Sequence, residues 1–83
     1  MALSFPNPSR SYDAAAHRIR FTGHDGMFEV PFLVEADVFT DANTEAGYLA
    51  AFDSARDGIQ NVARKAYSYA RKRMYILTQA DFR

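Results

Sequence analysis

Few side chains in this sequence could do chemistry, and their spacing argues against catalysis. The two histidines are His17 and His24. His24-Asp25 resembles the dyad of metal-dependent phosphohydrolases, but the further His and Asp ligands such a centre needs on other helices are absent. The dyad also falls on a predicted hairpin tip, where ligands would be poorly fixed, so it reads as a polar turn. Asp13 reads as a turn residue, and Asp53 and Asp57 as part of a solvated helix face. No Walker loop, nucleophile elbow, zinc-binding His-Glu pair or dinucleotide fingerprint occurs. The chain has no cysteine, which excludes disulfides and thiol chemistry and removes the commonest structural zinc ligand. No catalytic residue, metal site, cofactor or small-molecule ligand is expected, and the chain reads as non-enzymatic.

Binding is the remaining class, and two groups of residues could serve it. Arg64, Lys65, Arg71, Lys72 and Arg73 are interleaved with Tyr67, Tyr69 and Tyr75, with no acid between positions 64 and 73. Cations alternating with aromatic rings can neutralise phosphates and stack on bases. The competing reading is a solvated helix end whose cations complement the dipole, and ten basic against ten acidic residues favour it. The second group is Leu49 and Tyr67 on a helix flank, plus Tyr75, aromatic and apolar residues left off the main stripe. They suit a protein partner or a second copy of the chain, so a homodimer is one expected form. A chain with no active site and no global charge works by binding, and protein contact ranks ahead of weak, non-specific nucleic-acid binding or transcription regulation.

These side chains need a scaffold, and the stretch from Asn43 to Arg73 supplies its main element. Tyr48, Phe52, Ala55, Ile59, Val62, Ala66 and Tyr69 recur at alternating steps of four and three, which is one face of a helix. Ala51, Ala63 and Ala70 fill that face, and Asp53, Asp57, Gln60, Arg64, Ser68 and Arg71 lie opposite. Asn43 or Thr44 can cap the first turn, and Glu45 suits the positive end of the dipole. Gly58 is the flaw, either a place where a strand approaches closely or part of an Asp57-Gly58 kink. A straight helix here would run on the order of 45 Å at 1.5 Å per residue. A compact domain of this length has a radius of gyration of roughly 12 Å. The helix therefore bends, stops early or overhangs.

Arg18 to Val34 reads as a β-hairpin, with Ile19 and Phe21 alternating with polar residues before Gly23-His24-Asp25-Gly26, and Phe28, Val30, Phe32 and Val34 after it. Two registers keep the apolar residues on one face. A two-residue loop at Asp25-Gly26 pairs Phe21 with Val30, and a four-residue loop pairs Phe21 with Phe28. A three-residue loop would place Phe21 opposite Glu29 and is rejected. In both surviving registers the N–H missing at Pro31 should face the partner strand, so the ladder is expected to end or bulge there. Short strands are expected around Leu3 and at Arg10-Ser11-Tyr12, separated by Pro6-Asn7-Pro8-Ser9. Ala14 to Ala16 suit a single helical turn or a loop, and Glu35 to Ala42 a short helix of one or two turns. Met74 to Leu77 suit a last strand, and Thr78-Gln79-Ala80-Asp81 a capped turn.

The eighty-three residues make a single domain, 1–83, of globular composition, 48% hydrophobic with twelve aromatic residues. The fold class is α+β: a two-layer sandwich in which an antiparallel sheet, built on a central hairpin, packs against one long helix in the C-terminal half, with a short final strand. No stretch approaches a membrane span or a secretory signal, so no membrane partner and a cytoplasmic location are expected.

Several short motifs occur in a telling order. A short strand ends in Phe5-Pro6; Tyr12-Asp13 and Ile19-Arg20-Phe21 follow; a glycine turn then leads into Phe28-Glu29-Val30. Ala50-Ala51-Phe52-Asp53-Ser54-Ala55-Arg56-Asp57 and a final Ala80-Asp81-Phe82 complete the series. The chain resembles the small bacterial family known as domain of unknown function 1488, over nearly its whole length. The resemblance implies a compact α+β domain without an agreed activity. Some members are labelled transcriptional regulators, with no mechanism that transfers to residues here.

Overall fold

The computed structural model describes residues 3–69 and 72–82, Tyr69 by its backbone only. The chain is α+β. Its strands are β1 (Leu3–Ser4), β2 (Arg10–Asp13), β3 (Arg18–Asp25), β4 (Phe28–Glu35) and β5 (Tyr75–Leu77). Helices α1 (Glu45–Ser54) and α2 (Arg56–Tyr69) lie between β4 and β5, and 3-10 turns occupy Ala36–Val38 and Gln79–Phe82. The strand order is β1-β3-β4-β5, with β2 also paired to β3. β1 and β2 thus share one edge of β3, antiparallel to it, with Pro6 to Ser9 interrupting them. β5 joins β4 in parallel, so the sheet is mixed, not antiparallel as expected. The polypeptide returns through both helices before adding that strand, and such a crossover delivers a parallel neighbour.

The central hairpin forms, in neither expected register. Phe21 pairs with Phe32, Gly23 with Val30, and Asp25 with Phe28, leaving Gly26 and Met27 as a two-residue loop. Gly26 has φ 63 and Met27 lies outside the left-handed region, which suits a type II′ turn with glycine first. The pairing also explains Pro31. In a two-residue hairpin the closing pair is hydrogen-bonded and the pairs then alternate, so Thr22 and Pro31 meet at a non-hydrogen-bonded position. The ring nitrogen of Pro31 points away from β3, and the ladder runs through it without a bulge.

Alternation along the hairpin sets the core. Ile19, Phe21, Val30, Phe32 and Val34 are buried, and Phe52, Ile59 and Ala63 meet them from the helices. The rings of Phe21 and Phe52 lie 5.2 Å apart, and those of Phe21 and Phe32 stack at 5.3 Å. Each such side chain contributes roughly 1.5–3 kcal/mol by leaving water. Gly23 lets this layer close: a Cβ there would come within 2.9 Å of Phe5, 3.0 Å of Leu3 and 3.2 Å of Phe32.

The single long helix is two helices. Ala55, at φ −102 and ψ 11, separates them, although its N–H still reaches Ala51 O at 3.1 Å and its carbonyl accepts from Ile59 N. The bend lets α1 lie against β2 while α2 lies against β5. The longest dimension of the molecule is 36 Å, shorter than a straight helix over this stretch would be. Ala55 itself is exposed rather than on the apolar face, and Gly58 sits in α2 with nothing within 4 Å of where its Cβ would be. The break is therefore not at Asp57-Gly58, and no strand approaches there. The rest of the helix phase holds among the described side chains: Tyr48, Phe52 and Ile59 are buried, Val62 and Ala66 half-buried, and Asp53, Asp57 and Arg64 exposed. Thr44 caps α1, its Oγ1 accepting from Gly47 N at 3.0 Å. Asp81 caps the last turn, Oδ2 accepting from Thr78 N at 2.8 Å.

Candidate functional site

A groove opens ahead of the start of β5. β5 covers β4 only from Phe32 to Val34, so the first part of β4, Phe28 to Pro31, leaves the hairpin tip without it. Between that free stretch and residues 72–75 lies a groove of about 930 Å³. Tyr67 and Tyr75 meet edge to face within it at 5.8 Å, and the Tyr67 hydroxyl donates to the Asp25 carboxylate across to the hairpin. Met27 and Phe28 stand at the tip, 96% and 77% exposed. One wall carries the acids Asp25 and Glu29, and the other the bases Lys72 and Arg73.

The expected contact residues are only partly brought together. Tyr75 is not a surface residue: it is 2% exposed, its ring stacked on Phe32 at 5.1 Å and its hydroxyl accepting from Lys72 N at 2.9 Å. Its place in a strand over the core, facing inward, accounts for this. Tyr67 is half-buried at the groove. Leu49 packs partly buried against the core and does not line the groove.

The five-cation surface is divided as well. The Arg64 guanidinium lies over the Phe5 ring at 5.2 Å, donates to Leu3 O at 3.3 Å and reaches Asn61 Oδ1 at 3.1 Å. That side chain fastens the N-terminal strand to α2. Lys65 is exposed away from the groove, Lys72 and Arg73 line it, and Arg71 lies outside the described residues.

Sequence reasoning missed Met27 and took Phe28 for a core-facing residue. Phe28 does share its parity with Val30 and Phe32, but it lies past the point where the core covers that face. A second group also went unnoticed. Tyr12 OH and His17 Nδ1 lie 3.0 Å apart, Tyr12 stacks on Tyr48 at 5.3 Å, and His17 Nε2 is 3.6 Å from Asp37 Oδ1. Desolvation, with the Tyr48 phenol next in effect, raises the Tyr12 phenol above its ordinary value, which works against a nucleophilic phenolate. His17 adopts φ 57, and its carbonyl accepts from Ala36 N at 3.0 Å. The group closes the turn between β2 and β3. Among the described residues no three His, Cys, Asp or Glu side chains are placed to hold a metal, and no helix is long and apolar enough to cross a membrane.

The family model described as protein of unknown function DUF1488 matches residues 3–78. The chain belongs to this family. No curated protein and no solved structure matches the chain. The DUF1488 match spans all five strands and both helices and ends just before the final turn, so the groove and both its walls lie within the family domain.

Proposed function

We propose that this DUF1488 domain is a non-enzymatic, cytoplasmic interaction module that holds a protein partner at the groove beside the hairpin tip. The observation that carries the reading is the exposure of Met27 and Phe28 at the mouth of an aromatic groove. Adjoining exposed apolar residues, rimmed by charge, mark interaction surfaces on monomeric domains. Their turn puts them forward of the sheet, so a partner reaches them without unfolding anything.

Nucleic-acid binding is the weaker alternative. Arg64 is committed to Leu3 and Phe5, and the two groove cations face two acids. A phosphate backbone entering the groove would meet repulsion as well as attraction.

The test is capture from native lysate, with and without nuclease, by the parent domain and by the double variant Met27→Asp, Phe28→Asp. Both side chains are exposed, so the variant should keep its circular dichroism spectrum and melting profile. The expected result is a nuclease-resistant protein partner retained by the parent and lost by the variant. Equal capture by both would remove the groove as the contact surface, and capture abolished by nuclease would favour the alternative.

A further inference from the structure

The groove's charges are sorted by segment in a way that points to its occupant. From Asp25 to Glu35 the hairpin carries acids and no Lys or Arg, whereas the facing wall contributes Lys72 and Arg73. The tip is thus an apolar, acidic projection that forms one wall of the groove, and the wall facing it is a basic receptor. One chain holds both halves. Tip and receptor adjoin, so a two-fold axis beside them brings each tip to the other copy's receptor in the same operation, as an isologous interface requires.

Strand addition is a poorer way to fill the site. Glu29 lies at a non-hydrogen-bonded position toward β3, opposite His24, so its N–H and C=O face outward, while Pro31 offers only its carbonyl there. A two-fold pairing that uses both the N–H and the C=O of Glu29 in each copy would set Glu29 against Glu29, like charges directly opposed, and one centred on Val30 would lose a hydrogen bond at Pro31. A purely anionic ligand would meet Asp25 and Glu29. A second tip, which brings methionine and phenylalanine to the apolar wall at the half-buried Tyr67 and a glutamate to Lys72 and Arg73, satisfies both the apolar and the charged features.

We propose that the groove is a self-association site, in which Met27, Phe28 and Glu29 of each copy enter the partner's groove against Lys72 and Arg73. The proposal rests on the groove being the contact surface and names its occupant. The zero formal net charge removes long-range repulsion between copies. A tip-sized contact is small among interfaces, so the dimer is weak and concentration-dependent.

Sedimentation equilibrium over a wide concentration range tests it, using the parent, Glu29→Lys, and the pair Lys72→Glu, Arg73→Glu. The parent should move from monomer to dimer. Each charge-reversed variant alone should associate about tenfold more weakly or worse, because like charges now face each other. An equimolar mixture of the two variants should regain association. One junction then sets the lysine introduced at position 29 against the glutamates introduced at positions 72 and 73, in reversed polarity, and the other keeps the native pairing. A parent that stays monomeric throughout, variants that associate like the parent, or a mixture that fails to recover would each overturn the proposal. A monomeric parent whose groove variant still loses a lysate partner separates the outcomes: the second copy fails as occupant and the groove stands.

Discussion

Replacing glycine by alanine should have opposite effects at Gly23 and Gly58, and the pair tests both the hairpin register and the helix geometry. At Gly58 a Cβ meets nothing within 4 Å, and the backbone is helical with negative φ. Alanine there gains helix propensity and restricts the unfolded chain, a stabilisation of about 0.5–1 kcal/mol. For a domain of this size that raises Tm by roughly 2–8 °C. At Gly23 the same methyl would sit 2.9 Å from Phe5, 3.0 Å from Leu3 and 3.2 Å from Phe32. If the layer holds, overpacking costs about 1–3 kcal/mol. If β1 lifts away instead, Leu3, now 8% exposed, returns to water at a cost of about 2 kcal/mol. Both routes have the same sign, with Tm lower by roughly 5–20 °C. Urea titration followed by far-UV circular dichroism, with thermal melts alongside, measures both variants against the parent. A neutral or stabilising Gly23→Ala would refute the close packing of Phe5 over β3 and the register that places it. A destabilising Gly58→Ala would refute the open helix surface.

Phe52, fully buried against Phe21, should be a pillar of the core: Phe52→Ala is expected to cost about 3–5 kcal/mol in urea titration, and a loss below about 1 kcal/mol would contradict its placement. Asp53 should make stability pH-dependent. Hydrogen bonds from Arg10, and secondarily from Arg56, hold its carboxyl below the ordinary value. A depressed carboxylate contributes stability that is fully present above its unfolded value and lost as the pH falls through the folded one. The stability difference between parent and Asp53→Asn should therefore be present at neutral pH and vanish in acid; a difference independent of pH would refute the linkage.

What could be read from the chain was periodicity, and what could not was decided by contacts between distant segments. The alternation of Ile19, Phe21, Val30, Phe32 and Val34 identifies the buried face because sliding the hairpin by two residues leaves that face unchanged. For the same reason alternation cannot choose the register. Gly26 at the first turn position and Pro31 at a non-hydrogen-bonded site make that choice, and both are turn and ladder chemistry rather than pattern. The helix period survives the break at Ala55 because one bent residue hardly alters the phase, so the stripe reads as continuous across two helices. The parallel direction of β5 is not encoded in Tyr75-Ile76-Leu77 at all; it follows from where α2 delivers the chain. The expected contact residues failed for related reasons. Tyr75 lay off the helical stripe but belongs to a strand that faces inward, and Arg64 was exposed by phase yet held by a carbonyl sixty-one residues away in the chain.

The break at Ala55 and the groove are connected. α1 rests on β2, at one edge of the sheet, and α2 on β5, at the other. With α2 so directed, Tyr67 reaches Asp25 on the hairpin and meets Tyr75 on the last strand, which joins the walls of the groove at its inner end. β5 is only three residues long, and it begins opposite Phe32 rather than Phe28. The tip is therefore left forward of the sheet, with its acids on one side of the opening and Lys72 and Arg73 on the other. A straight helix carried past the sheet edge would leave Tyr67 without a hairpin to hold. The feature that makes the helix fit a small domain also shapes the groove beside the hairpin tip, and a substitution that straightens residues 54–56 is expected to weaken the proposed contact through Tyr67 before it touches any residue of the tip.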